Sequence, residues 1–213
     1  MKQVIENALI YIKKYFENES SGHDYFHSLR VYKIAKRIAE NENANIEIVS
    51  LAALLHDVDD IKLSYITHKN KDNARTFLKC NNVDDNTIDL ICNIINDISF
   101  KGIESKPSNI LEGRIVQDAD RLDAIGAIGI ARAFTFGGNH NRVMYDPNEK
   151  PKLNMTEKEY RNHISTTINH FYEKLFNLKD LMNTQTAKQI AIVRENYMKE
   201  YIQEFMDEWD GIK

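Results

Sequence analysis

Apolar residues recur three and four positions apart through most of the chain, and alternation over two is nowhere sustained. That spacing is the signature of amphipathic helices, not strands. The clearest run steps through Tyr160, Ile164, Ile168, Phe171, Leu175, Leu178 and Met182. Thr156 with Glu159 supplies the capping box that would start it. A second run follows through Ile190, Val193, Tyr197, Tyr201, Phe205 and Trp209, and an earlier one places Ile88, Ile91, Ile95 and Ile98 behind Asp84-Asp85. Together the patterns predict helices over 2–17, 24–43, 46–57, 69–80, 85–98, 108–135, 157–183 and 186–209. Gly137-Gly138, Asn139, Asn141, Pro147 and Pro151 predict a long loop from Gly137 to Met155. No stretch has linker composition or an internal repeat, so the expectation is one all-α domain, residues 1–213, folded as a helical bundle.

Composition narrows the class of function. A length of 213 residues allows a substantial core, and 28 basic against 32 acidic residues give a net charge of −4. No global basic field attracts nucleic acid or an anionic membrane, so neither is expected as a partner. The first twenty residues carry Glu6 and Glu17 among their apolar positions, unlike a signal or transit peptide. Cys80 and Cys92 belong to no CxxC pair. Reduced thiols and a cytoplasmic location are the plain reading, with a disulfide between the two left open.

The chemistry concentrates where charge interrupts the apolar pattern. His56-Asp57 ends the run Leu51-Ala52-Ala53-Leu54-Leu55. Charge set against a core stretch is costly unless compensated, and a bound cation would compensate it. His27 upstream and Asp120 downstream offer two further ligands from two other predicted helices. An isolated His-Asp pair is ordinarily a surface feature, and acidic residues such as Asp118, Asp120 and Asp123 ordinarily cap helices or face solvent. Three separated clusters in apolar flanks argue for a divalent metal instead. The set His27, His56, Asp57 and Asp120 suits Mn²⁺, Fe²⁺, Co²⁺, Ni²⁺ or Zn²⁺, and Mg²⁺ less well. Octahedral coordination would leave two positions open, as in a catalytic site.

The segments HDYFHSLRV, LLHDVDD and DADRLDAIGAIGIARAF resemble the HD-domain phosphohydrolase superfamily in the order H…HD…D. ISFKG at Ile98–Gly102 and IGIARAFTFGG up to Gly138 are similar to small bacterial hydrolases of the YpgQ/YedJ-like group. The resemblance implies an all-helical fold around a central metal and hydrolysis of nucleotide phosphate bonds, often with Mn²⁺, Co²⁺ or Mg²⁺. It favours one metal ion, manganese first, and a nucleoside triphosphate pyrophosphohydrolase that releases pyrophosphate. The rival readings are a 5′-nucleotidase, a dNTP triphosphohydrolase, an alarmone hydrolase and a nucleotide-binding sensor without turnover. A homodimer is compatible with the sequence.

Within that reading each nearby polar residue has an expected role. Asp60 follows the ligands by one helical turn and is the expected base for the attacking water, with Asp59 as the alternative. Lys101, Arg30 and Arg121 are the expected cations for phosphoryl charge. Asp123 is expected to bond a ligand histidine or an arginine, and His23 to contact substrate. His68 is the remaining histidine close enough in sequence to add a ligand or a substrate contact. Gly126 and Gly129 predict a close helix approach.

Overall fold

A computed structural model describes residues 1–17, 24–61, 64–98 and 104–213. The chain divides into two compact units, the first Met1–Ser99 with Lys106–Asp120, the second Phe100–Ser105 with Arg121–Lys213. Ten α-helices and one 3₁₀ segment occur among the described residues, with no strand.

The first unit holds α1 (Lys2–Tyr15), α2 (Tyr25–Glu42), α3 (Ile46–Leu55), α4 (Asp72–Cys80), α5 (Asp85–Asp97) and most of α6 (Leu111–Asp123). Its centre is α3, in which every residue from Ile48 to Leu55 is buried. A helix that is apolar all round must be enclosed, and α1, α2 and α5 pack around it. Each fully buried leucine, such as Leu51, Leu54 and Leu55, contributes about 1.5–3 kcal/mol of transfer free energy. The helix starts are set by side chains that accept the unbonded N–H groups of a first turn. Asp24 accepts from His27, Asn45 from Glu47 and Ile48, and Asp84 from Thr87. Asn43, in the left-handed region at φ 55°, stops α2.

The second unit holds the last three residues of α6, α7 (Gly126–Asn139), α8 (Glu157–Asn162), α9 (Thr167–Glu173), a 3₁₀ segment Leu175–Leu181 and α10 (Gln185–Trp209). Phe134 of α7 stands at its aromatic core, with ring centroids 6.2 Å from Phe171, 6.1 Å from Tyr201 and 6.1 Å from Phe205.

Two long helices expected from periodicity are broken. The stretch 108–135 becomes α6 and α7. The Ala124 and Ile125 N–H groups close α6 onto Arg121 and Leu122, and α7 restarts at Gly126, whose φ of +77° is costly for any residue with a Cβ. A Cβ on Gly129 would lie 2.3 Å from the Ala124 carbonyl oxygen. The close approach that the glycines permit is therefore this break, together with Arg194 packed on Gly126. The stretch 157–183 becomes α8, α9 and the 3₁₀ segment. The expected capping box at Thr156 and Glu159 is present, but His163 is extended and Thr166 caps a new helix. The N–H groups of Thr167 and Ile168 donate to the loop carbonyls of Val143 and Met144, not to the preceding turn. The loop itself begins after Asn139, at His140, three residues later than expected.

Candidate metal centre

The first ligand is positioned by a helix cap. Asp24 Oδ1 accepts the His27 N–H at 2.7 Å, so α2 is ordered from its first turn and carries the His27 ring inward, where the residue is 1% exposed. His56 takes the C-terminal end of α3, with Asp57 in the turn beyond it. The His56 Nδ1–H donates to the Ala53 carbonyl at 2.8 Å. That bond assigns the tautomer, because a carbonyl can only accept, and it leaves Nε2 as a bare lone pair.

The His56 Nε2 lies 3.2 Å from the His27 Nε2. Asp57 Oδ2 is 3.3 Å from the first and 3.4 Å from the second. Asp120 Oδ1, from α6, is 3.4 Å from His27 Nε2 and 3.9 Å from His56 Nε2. Donors bound about 2.0–2.2 Å from one divalent ion, at right to tetrahedral angles, stand roughly 3–3.5 Å apart. All but the longest of these separations fall in that range. As metal ligands the imidazoles would be neutral, and the two carboxylates would then bring charge −2, which a divalent cation would match. His27, His56 and Asp57 form a cluster that fits such an ion, and Asp120, beside both histidines, is the further residue that would join them in holding it. His27, His56 and Asp57 are buried, while the Asp120 side chain is 31% exposed, so the centre opens on that side. Burial raises the Asp120 pKa, but the hydrogen bond and charge of His27, helped by His56, outweigh it and hold the carboxyl below the usual range.

The surrounding residues divide by where their side chains go. Asp60 N donates to the Asp57 carbonyl at 3.0 Å, which keeps Asp60 one turn beyond the ligand. Asp59, expected as the alternative base, is fully buried and caps α4 instead. Its Oδ1 accepts the Asn73 N–H at 3.1 Å and its Oδ2 the Ala74 N–H at 3.0 Å. Arg30 lies one turn beyond His27 on α2 and is half-buried. Arg121, expected to meet substrate, is buried and donates to the Leu181 carbonyl at 2.5 Å. Asp123 takes the arginine of its two expected partners, Arg132, at 2.5 Å. The expected contacts of His23 and Lys101 lie outside the described residues.

His68 Nδ1 donates to the Asp59 carbonyl at 2.8 Å, which fastens the ring beside the turn. Sequence reasoning missed Tyr15 and Asn73, which meet at the Val58 carbonyl next to Asp57. Their one signal was position, Tyr15 ending α1 and Asn73 opening α4. Cys80 and Cys92 are both free thiols. No described helix is long and apolar enough to cross a membrane.

Comparison with known proteins gives these residues a context. The HD domain family matches residues 24–125, which span all four donors. Bacillus subtilis YpgQ is 36% identical over 209 residues, covering 97% of this chain and 94% of YpgQ. A structure of YpgQ in complex with ADP superposes with a TM-score of 0.78 at 34% identity, covering 98% of this chain and 100% of that one. An HD-superfamily hydrolase from Bacillus thuringiensis gives 0.78 at 41% identity with 98% of both chains covered. A protein from Lactobacillus plantarum gives 0.87 at 39% identity with 99% of both covered.

Proposed function

From the premise that this chain belongs to the HD-domain family, and is a metal-dependent phosphohydrolase, we propose that it cuts nucleoside triphosphates between the α and β phosphates. The products are a nucleoside monophosphate and pyrophosphate. The observation that carries the hydrolase is the buried cluster of His27, His56 and Asp57, with Asp120 beside both histidines on the more open side. What supports a nucleotide substrate is the ADP held by YpgQ.

His27, His56, Asp57 and Asp120 hold one divalent ion, with manganese the first to test. When bound, such an ion polarises a phosphoryl oxygen and lowers the pKa of a water. The Ala53 carbonyl keeps a His56 proton on Nδ1, so Nε2 is the ring atom that faces the centre. Asp60 takes the proton of the attacking water. Asp59 is left out of that role, because both its carboxylate oxygens already accept helix N–H groups. Arg30 holds the polyphosphate chain, and the added water oxygen ends on the monophosphate as pyrophosphate leaves.

The test is product identification with ATP and dATP as substrates and Mn²⁺ present. Monophosphate and pyrophosphate in equal amounts are expected, and Asp60→Asn should retain metal while losing roughly two to four orders of magnitude in rate. Nucleoside and inorganic phosphate from a monophosphate would move the chain to the nucleotidases. Nucleoside and tripolyphosphate would make it a triphosphohydrolase.

A further inference from the structure

The four residues after His56 each hold their backbone carbonyl in a specific bond. Asp57 O accepts from Asp60 N at 3.0 Å, and Asp60 O from Ser64 N at 2.8 Å. Asp59 O accepts from His68 Nδ1 at 2.8 Å. Val58 O is held twice, by the Tyr15 hydroxyl at 2.8 Å and the Asn73 amide at 2.9 Å. These carbonyls lie in the turn beyond α3, where buried carbonyls need partners, and groups from α1, α4 and the intervening loop supply them.

Asn73 is the hub of this set. Its backbone N–H donates to Asp59 Oδ1 at 3.1 Å. Its side-chain nitrogen reaches Val58 O, the Tyr15 hydroxyl at 3.2 Å and Thr67 Oγ1 at 3.1 Å. Tyr15 in turn shares a 2.6 Å bond with Ser64 Oγ. The clamped Val58 carbonyl lies one residue beyond the metal ligand Asp57 and adjoins the cap Asp59, so holding it restrains the turn that carries Asp57.

We propose that Asn73 is a positioning residue of the metal centre: with Tyr15 it clamps the Val58 carbonyl and so sets the direction in which Asp57 presents its carboxylate and the turn that carries Asp60. Outer groups that orient ligands commonly matter ten- to a hundredfold in metal affinity or activity. Asn73 has this effect without touching metal or substrate. The inference rests on the metal-dependent reading of the site, not on the identity of the nucleotide.

Asn73→Asp preserves size and the backbone N–H but sets an oxygen against the Val58 carbonyl. Titration with Mn²⁺ alone, followed calorimetrically on the full chain, is expected to show binding about ten- to a hundredfold weaker. At saturating metal kcat should fall while KM stays within about twofold, since no substrate contact is lost. Tyr15→Phe removes one of the two donors and little volume. It should weaken Mn²⁺ binding by roughly two- to tenfold, the worth of one hydrogen bond. Should Asn73→Asp not fold, Tyr15→Phe decides. Wild-type Mn²⁺ affinity in the folded variants, even with a lowered Tm, would show that the bonds only tie the loop together and would overturn the proposal. A wild-type chain that binds Mn²⁺ yet cuts no triphosphate would end the nucleotide reading and leave this test standing.

Discussion

Mn²⁺ should stabilise this chain through the four-donor centre, by an amount that can be stated in advance. A ligand that binds only the folded state at about one hundred times its dissociation constant adds about 2.7 kcal/mol. For a chain of this size each kcal/mol moves Tm by about 2–4 °C, so the rise should be about 5–11 °C. The unfolded chain cannot compete, because His27, Asp57 and Asp120 come from three separate helix ends that only the fold unites. His56→Gln removes the lone pair that faces His27 at 3.2 Å, and Asp57→Asn removes half of the site's −2 charge. Each should cut the rise to a small fraction. The assay needs circular dichroism or calorimetry, because the single tryptophan, Trp209, is packed by Tyr145 and Phe205 in the second unit. Its fluorescence reports the wrong part of the chain. The Asp120 carboxyl lies below the usual carboxylate range in the folded chain, so its contribution to stability is present above about pH 3.9 and is lost as pH falls through its folded value. An equal rise in His56→Gln and wild type would refute the assigned donors.

Two further outcomes test the second unit. Gly129→Ala places a Cβ 2.3 Å from the Ala124 carbonyl oxygen, an overpacking expected to cost about 1–3 kcal/mol and lower Tm by about 2–12 °C; an unchanged melting curve would show that the α6–α7 break yields freely. His170 is pushed down to about 3 by burial first and then by Lys174 and Arg142, so the unfolded chain takes up its proton first on acidification, and stability present above about pH 6.5 should fall by up to roughly 4 kcal/mol toward pH 3. Urea midpoints between pH 7 and 4 should show a flatter slope in His170→Gln, and parallel slopes would rule His170 out as the cause.

Periodicity revealed where helices run but not where their hydrogen bonds stop. The apolar steps from Tyr160 to Met182 suit one helix, yet the break within them is decided elsewhere: carbonyls of Val143 and Met144 take the Thr167 and Ile168 N–H groups. Those loop carbonyls are distant in sequence and carry no side-chain signal. By contrast, α2 and α5 were legible to within a residue or so. Their caps Asp24 and Asp84 are local, and Asn43 ends α2 as a residue that tolerates the left-handed region. That His27, His56 and Asp57 come together was legible for a related reason: charge in an apolar flank needs a partner, and the HD pair showed that need.

The adjacent acids Asp59 and Asp60 mark where such reading stops. Sequence makes them near equivalents, each close to the ligands and each a plausible base. What separates them is the start of α4, a helix whose preceding residue cannot cap it. Lys71 sits there in the left-handed region at φ 58° and offers no acceptor, so the first N–H groups of α4 need one from elsewhere. Asp59 supplies both oxygens, and its negative charge suits the positive end of the helix. A carboxylate with both oxygens engaged by backbone N–H groups is held toward α4 and is not free to turn to a water. Asp60 stands outside that cap, held one turn from Asp57 by its own N–H. The capping needs of α4, a helix that neither acid belongs to, therefore favour Asp60 over Asp59 for the proposed water-activating role.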